Sequence, residues 1–527
     1  MQGDTMRLLP LAFGVGLIFQ ATHATNYYVS SQTGLDSNAG TSEQTAWRSL
    51  EKVNSGRFLP GDRILLQAGS HWQSSLTIPS SGASGAPISI DRYGDGPLPR
   101  IDAGDVAENA LTILNVEYVQ VRNLELTNHG KSPAVRRGVL IAADNIGTLH
   151  RIVVSDLYIH DVNGAAEKKD RDYGGIVFRT TGKNVPSRFA SLRIERNIVW
   201  HVDRSGITGV SDQFGVTTKF EWVSPWYPSF YVVIRDNYVE DVGADGITPW
   251  ATYGALVEHN IVKRASQRVT DNNAGIWQWS TDNTLLQLNA ASFVKGTRDG
   301  EGFDSDYNSR GTKFIYNLSR ENDGGFMMIC TPTIWEAGNF IGNTGTVIRN
   351  NISWHDHTRG FALSGPSLNT LIENNAVYIA AGETVQAVLA TEWSGWPKDV
   401  TFRGNLFASQ GTAVYGHAAA ANKDGTYEYG SGWGGARGGR IVFEGNRFWG
   451  NHVDPPEAVT TADASGQAIA DLLAKEPLFD PASPVGFGDY LTKHRAWMIE
   501  LFARQFGHPP MLEAPAPIPV TSGANPK

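Results

Sequence analysis

From about residue 110 to 450 the chain repeats one pattern: a short run of alternating apolar and polar positions ending in Asn, then a Gly followed by an aliphatic or aromatic residue. The runs are VQVRNLEL, LRIERNIV, VVIRDNYV, ALVEHNIV, KFIYNLS, TVIRNNIS, TLIENNAV, VTFRGNLF and IVFEGNRF. Their asparagines are Asn123, Asn197, Asn237, Asn260, Asn317, Asn351, Asn375, Asn405 and Asn446. Alternation of this length is strand periodicity. A repeat of roughly 23 to 41 residues built from short strands and turns predicts a solenoid whose coils differ in loop length. Asn suits the turns because its amide tolerates a left-handed conformation and can hydrogen-bond the same residue type one coil above and below.

This pattern resembles the right-handed parallel β-helix of the pectate-lyase superfamily, over about residues 25 to 450. The opening YYVSSQTGLDSNAGT, AWRSLEKV and PGDRILLQAGSHW is similar to the N-terminal cap and first coils of secreted members of that group. The resemblance implies an all-β solenoid but does not specify a substrate. The expected organisation is a leader at 1–24, an N-terminal cap and first coils at 25–109, the β-helix at 110–450, a helical C-terminal cap at 451–508 and a Pro-rich disordered tail at 509–527. ASGQAIADLLAKE and DYLTKHRAWMIELFARQFG have helical spacing, and a helical cap over the open end would protect an exposed sheet edge.

The leader reading rests on MRLLPLAFGVGLIFQATHA, residues 6–24: one Arg, an apolar run from Leu8 to Phe19, then small residues. That is the layout of a secretory signal peptide, with a short membrane anchor as the alternative. A single cysteine, Cys330, rules out an intramolecular disulfide and fits a bacterial periplasm or culture fluid. With 44 basic against 53 acidic residues, a net charge of −9 and no basic run, neither nucleic acid nor an anionic membrane surface is the expected partner. The expected partner is a polysaccharide or oligosaccharide, bound by a monomer.

Aligning the coils on Gly places Ile176, Ile207, Ile247, Ile276, Phe303, Phe326 and Phe361 in one column, which is read as the core stack. The residues one and three places further then face outward: Val177 and Arg179, Thr208 and Val210, Thr248 and Trp250, Trp277 and Trp279, Asp304 and Asp306, Met327 and Ile329, Ala362 and Ser364. Trp250, Trp277 and Trp279 therefore form an aromatic platform suited to the C–H faces of sugar rings, bordered by two aspartates. The alternative is that the loop Gln213–Pro228 covers the platform, although its FEWVSPWY could equally wall a cleft.

Two carboxylates at i and i+2 of a strand lie within the range used by glycosidases, where one protonates the leaving oxygen and the other attacks carbon or activates water. Asp304 and Asp306 are the leading pair, with Glu301 and Asp323 as further acids and Asp245 and Asp271 at the same end of the strands, the last two being also ordinary turn formers. The motif resembles β-helix glycosidases in which an aspartate after an aromatic residue is the nucleophile and an acid on the following coil the donor. Here that coil reads GFMMI, which leaves Asp306, Glu301 or Asp323 as the donor. Hydrolysis of this kind needs no cofactor.

The same fold hosts polysaccharide lyases and C5-epimerases. In that reading Glu301, Asp304, Asp306 and Asp323 would hold Ca²⁺, and Lys295, Arg298, Arg310, His355 or Arg359 would supply the base or anion clamp. Under hydrolysis, Arg298, His355 and Arg359 join the tryptophans, Asp245 and Asp271 as substrate-binding candidates. A third reading is a glycan-binding surface protein without catalysis. His355 and His357, in WHDHTRG, read as rim residues rather than a metal site, and Cys330 as a buried small apolar residue.

Overall fold

The computed structural model describes residues 24–165, 172–213, 227–269, 271–306, 308–331, 335–336, 339–340, 342–392, 395–418, 429–431 and 441–518. The leader, the centre of the 213–228 loop and the last nine residues of the tail lie outside them. Each coil contributes three short strands: Val233–Arg235 pairs in parallel with Leu256–Glu258 of the next coil, Tyr238–Val242 with Ile261–Lys263, and Ile247–Thr248 with the start of Ile276–Asp282. Repeated coil upon coil, these pairings build the right-handed parallel β-helix that the spacing predicted.

Asparagine holds the first corner of the coil. Asn197 Nδ2 donates to Asn237 Oδ1 at 2.9 Å, and the same contact runs on through Asn260, Asn289, Asn317, Asn351, Asn375 and Asn405 to Asn446. Glu457 ends the ladder by accepting from Asn446 Nδ2 at 2.7 Å. Two details differ from expectation. Asn289 belongs to the ladder, whereas Asn123 instead donates to Asp91. The left-handed residue is also not the ladder Asn but the one before it, as at Asp236, Leu288 and Asn374, with φ of 58°, 56° and 54°.

Ile176, Ile207, Ile247, Ile276 and Phe303 stack in register, fully buried, as read from the Gly alignment. The column then slips by one. Phe303 faces Met327, and Met327 faces Phe361. The register adopted places Gly325 opposite Glu301, so that Phe326 rather than a glycine stands level with Gly302. Met327 and Ile329, expected outside, therefore lie in the core, while Met328 takes the outward place beside Asp304.

The C-terminal helix Phe487–Phe506 forms as its periodicity predicts, but it lies along the flank of the solenoid rather than over the open end. Phe487, Tyr490 and Leu491 pack on Tyr158, Ile198, Tyr238 and Ile261, while Trp497, Met498, Leu501 and Phe502 pack on later coils at Leu318, Ile352, Trp354 and Tyr378. The reason is geometric. Twenty residues span about 30 Å of helix, the height of roughly six coils at about 4.8 Å each, and the second strands of those coils present an apolar outer stripe. Residues 509–518, expected to be disordered, continue along the solenoid, with Glu513 paired to Lys313 at 2.7 Å and to Arg349. Among the described residues no helix is long and apolar enough to cross a membrane.

Candidate active site

The strand Glu301–Ser305 leaves its outward positions to Asp304 and, just beyond its end, Asp306. Asp304 is in register with Trp277 on one neighbouring coil and Met328 on the other. The Asp306 backbone is fixed on both sides: its N–H donates to the Gln278 carbonyl at 3.2 Å, and Asn343 Nδ2 donates to its carbonyl at 3.1 Å. Both aspartates are nearly buried, at 6 % and 9 % exposure. Asp304 Oδ1 has no hydrogen-bond partner among the described residues.

A third carboxylate joins them. Asp299 lies in the turn between the strands Ala290–Ser292 and Glu301–Ser305, is partly exposed, and accepts a hydrogen bond from Asn272 Nδ2 at 3.0 Å. Sequence reasoning passed over it because it is a turn residue rather than a strand residue. Yet the signal was present, since Asp299–Gly300 repeats the Asp–Gly pairs at 245–246 and 323–324.

Burial is the largest cause holding the Asp304 carboxyl well above the usual carboxylate range, followed by the charges of Asp306, Asp299, Glu301 and Asp245. A carboxyl so placed holds its proton to higher pH than an ordinary carboxyl does. Glu301 is fully buried, and its desolvation outweighs the nearby Arg359 guanidinium, pushing it up to about 8. It faces the protein interior rather than a cleft.

The aromatic residues are gathered as expected but are not an open platform. Trp250 and Trp279 stack with centroids 4.4 Å apart and planes 9° from parallel, and Trp277 stacks on Trp279 at 6.1 Å. Trp277 and Trp279 are 6 % and 4 % exposed, so they pack as a wall and leave only Trp250 partly accessible. Asp245 serves that wall: it accepts from Trp277 Nε1 at 3.0 Å and from the Ala274 N–H at 3.3 Å, with Arg204 3.9 Å away.

Other candidates are placed elsewhere. Asp323 accepts from the Gly296 N–H at 3.2 Å and Asp271 from the Asn272 N–H at 2.8 Å, both turn contacts. Arg298 is exposed on the acidic turn. His355 stacks on Trp354 at 4.4 Å and lies 3.7 Å from Glu321, next to a strand whose Trp354 packs under the C-terminal helix. Arg359, a substrate-binding candidate in the sequence, is 2 % exposed and turned inward. Among the described residues no group of three or more His, Cys, Asp or Glu side chains is arranged to hold a metal ion.

Cys330 lies one coil beyond Asp306, since Ser305 and Ile329 are register partners. It keeps partial exposure, contrary to the expectation of a buried residue. Desolvation and then the charges of Asp306, Asp304, Asp299 and Glu301 push its thiol well up.

No known family model matches the chain. It is 28 % identical over 540 aligned positions to a lacto-N-biosidase from Bifidobacterium longum subsp. longum, an alignment covering 85 % of this chain and 32 % of that protein. The native crystal structure of a GH136 lacto-N-biosidase from Eubacterium ramulus is similar with a TM-score of 0.58 and 28 % identity, over 68 % of this chain and 64 % of the other. Its selenomethionine derivative gives 0.59 and 25 %, over 82 % and 68 %. The chain thus spans about a third of the length of the curated relative it matches.

Proposed function

We propose that the chain is a glycoside hydrolase that cleaves a lacto-N-bioside, working as an exported monomer. The observation that carries this reading is the convergence of Asp299, Asp304 and Asp306 beside the tryptophan wall, with one carboxyl raised well above the usual range by burial and then by the charges of its neighbours. Glycoside hydrolysis needs that asymmetry: an acid to protonate the departing oxygen and a carboxylate to attack the anomeric carbon or activate water. Asp304, whose carboxyl is raised well above the usual range, takes the role of the acid. Asp306 and Asp299 flank it as nucleophile or base, and Asp299, with the most exposure, is best placed to reach a substrate directly. The two lacto-N-biosidases support both the reaction class and the sugar.

Elimination has weaker support. Of its candidate bases, Arg359 is engaged inside the protein, His355 with Trp354 and Glu321, and Arg310 with Asp282 at 2.7 Å. The test is to incubate purified full-length protein with the nitrophenyl β-glycoside of lacto-N-biose and with uronate polymers, with and without EDTA. Nitrophenol release with new reducing ends and no absorbance near 235 nm is expected. A rise in both reducing ends and absorbance on a uronate polymer would replace hydrolysis by elimination.

A further inference from the structure

The turn that carries Asp299 is held from two coils away. Glu301 is in register with Gly325, and because Met327 is in register with Phe361, Gly325 stands level with Arg359. The three therefore form one column with a glycine in the middle. Gly325 has a φ of +132°, and a Cβ added there would fall 2.1 Å from the Arg359 carbonyl oxygen. No side chain bars the passage, and Arg359 reaches across it. Its Nε donates to the Gly324 carbonyl at 2.9 Å, and its Nη2 to the carbonyls of Thr297 and Asp299, also at 2.9 Å. Nη2 is also 2.9 Å from Glu301 Oε1.

We infer that Arg359 is a positioning residue for the hydrolytic site: it fixes the acidic turn 297–301 and thereby sets where Asp299 stands relative to Asp304 and Asp306. The buried guanidinium ties the turn at two carbonyls, those of Thr297 and of Asp299 itself, and so fixes the backbone that carries the Asp299 side chain. Only a planar fork can serve acceptors on both the turn and the next coil at once, which lysine, a point donor, does not reproduce. Displacing a reacting group by about 1 Å costs on the order of 10²-fold in rate. This inference rests on the reading of the site as a glycosidase, and its test includes a readout that does not.

The variants are Arg359→Lys and the double variant Arg359→Met with Glu301→Met, which removes both buried ionisable groups and is expected to fold. Each is made in the full chain and assayed for kcat, KM and the pH profile on the nitrophenyl glycoside, alongside Tm. Cys330 alkylation by iodoacetamide is followed by mass against pH in the same samples. The expected result is a kcat lower by roughly 10- to 100-fold with KM within about threefold, Arg359→Lys being the milder variant, and a displaced alkylation midpoint. If folded variants keep wild-type kcat, pH profile and alkylation midpoint, the positioning role is overturned. If the wild type releases no nitrophenol, the hydrolase reading fails alone, and the alkylation midpoint of Arg359→Lys, which keeps Glu301 and its charge on the thiol, still decides whether Arg359 places the turn.

Discussion

The Asp304 carboxyl is raised first by burial and then by the charges around it, so its function depends on its surroundings as much as on itself. Replacing Asp304, Asp306 or Asp299 singly by Asn is expected to lower kcat/KM by roughly 10²- to 10⁴-fold, with the fold retained. Asp323→Asn, on a turn contact to Gly296, is expected to stay within about threefold. Equal losses at all four positions would mean that the acidity of the region matters and not this cluster. Cys330 reports the same field. Its raised thiol predicts slow reaction with iodoacetamide at pH 8, and Asp306→Asn, by removing the first-named charge, is expected to speed it. A variant rate equal to wild type would place the thiol outside the field of the acids. At this scale the sequence was partly legible. Asp304 and Asp306 stand out because alternation alone decides which way a strand residue faces. Asp299 does not, since its position is set by Arg359, sixty residues away in the chain, and no local pattern joins the two.

Among the elements, the Asn ladder does most to fix the coil, and it was read from the sequence because buried amides recur at one corner. Asn289 escaped because its run, LLQLNAAS, lacks the charged residue that marked most of the others. The glycine column misled at one place only, where Gly325 stands opposite Glu301 and Phe326 takes the glycine's place in the column, a shift of one that alternation within a strand does not reveal. The tryptophans misled differently: periodicity correctly sent them outward, but it cannot say what packs over an outward face. The ladder permits a direct test. Asn317 donates to the Leu286 carbonyl and to Asn351, and accepts from Asn289. Asn317→Ala strands several of these buried groups, at about 1–3 kcal/mol for each left unsatisfied, and is expected to lower the urea midpoint clearly. Asn123→Ala, outside the ladder and bonded to Asp91, is expected to move it far less. Equal shifts would mean that the ladder adds nothing beyond ordinary polar packing.

Across the whole molecule, two groups of buried titratable side chains act on stability in opposite senses. Glu301 is raised to about 8, Asp356 to about 6 and Asp304 well above its usual range, each chiefly by burial. An unfolded chain releases these protons near pH 4 while the folded chain keeps them, so their contribution is fully present below about pH 4 and is lost as pH rises towards 8. The second group joins the C-terminal helix to the solenoid. His259 contacts Asp236 at 2.6 Å and His494 at 3.2 Å, and both histidines are buried and held below their ordinary value, chiefly by desolvation. Arg495, bonded to Asp236 at 3.0 Å and Glu258 at 3.2 Å, and Lys263 add positive charge around His494. Neutral in the fold and protonated when unfolded, the histidines stabilise above about pH 6.5 and withdraw that stability as pH falls. Tm against pH should therefore separate the two in variants. Glu301→Gln is expected to flatten the decline between about pH 4.5 and 8, because an uncharged isostere has no proton to release. His494→Phe is expected to flatten the loss below about pH 6.5 while leaving that decline in place. A His494→Phe curve parallel to wild type on its acid side would mean that the helix does not hold its histidine neutral. A pairing across 235 positions of the chain was beyond reach of any repeat in the sequence, and it forms because the helix lies along the flank instead of closing the end.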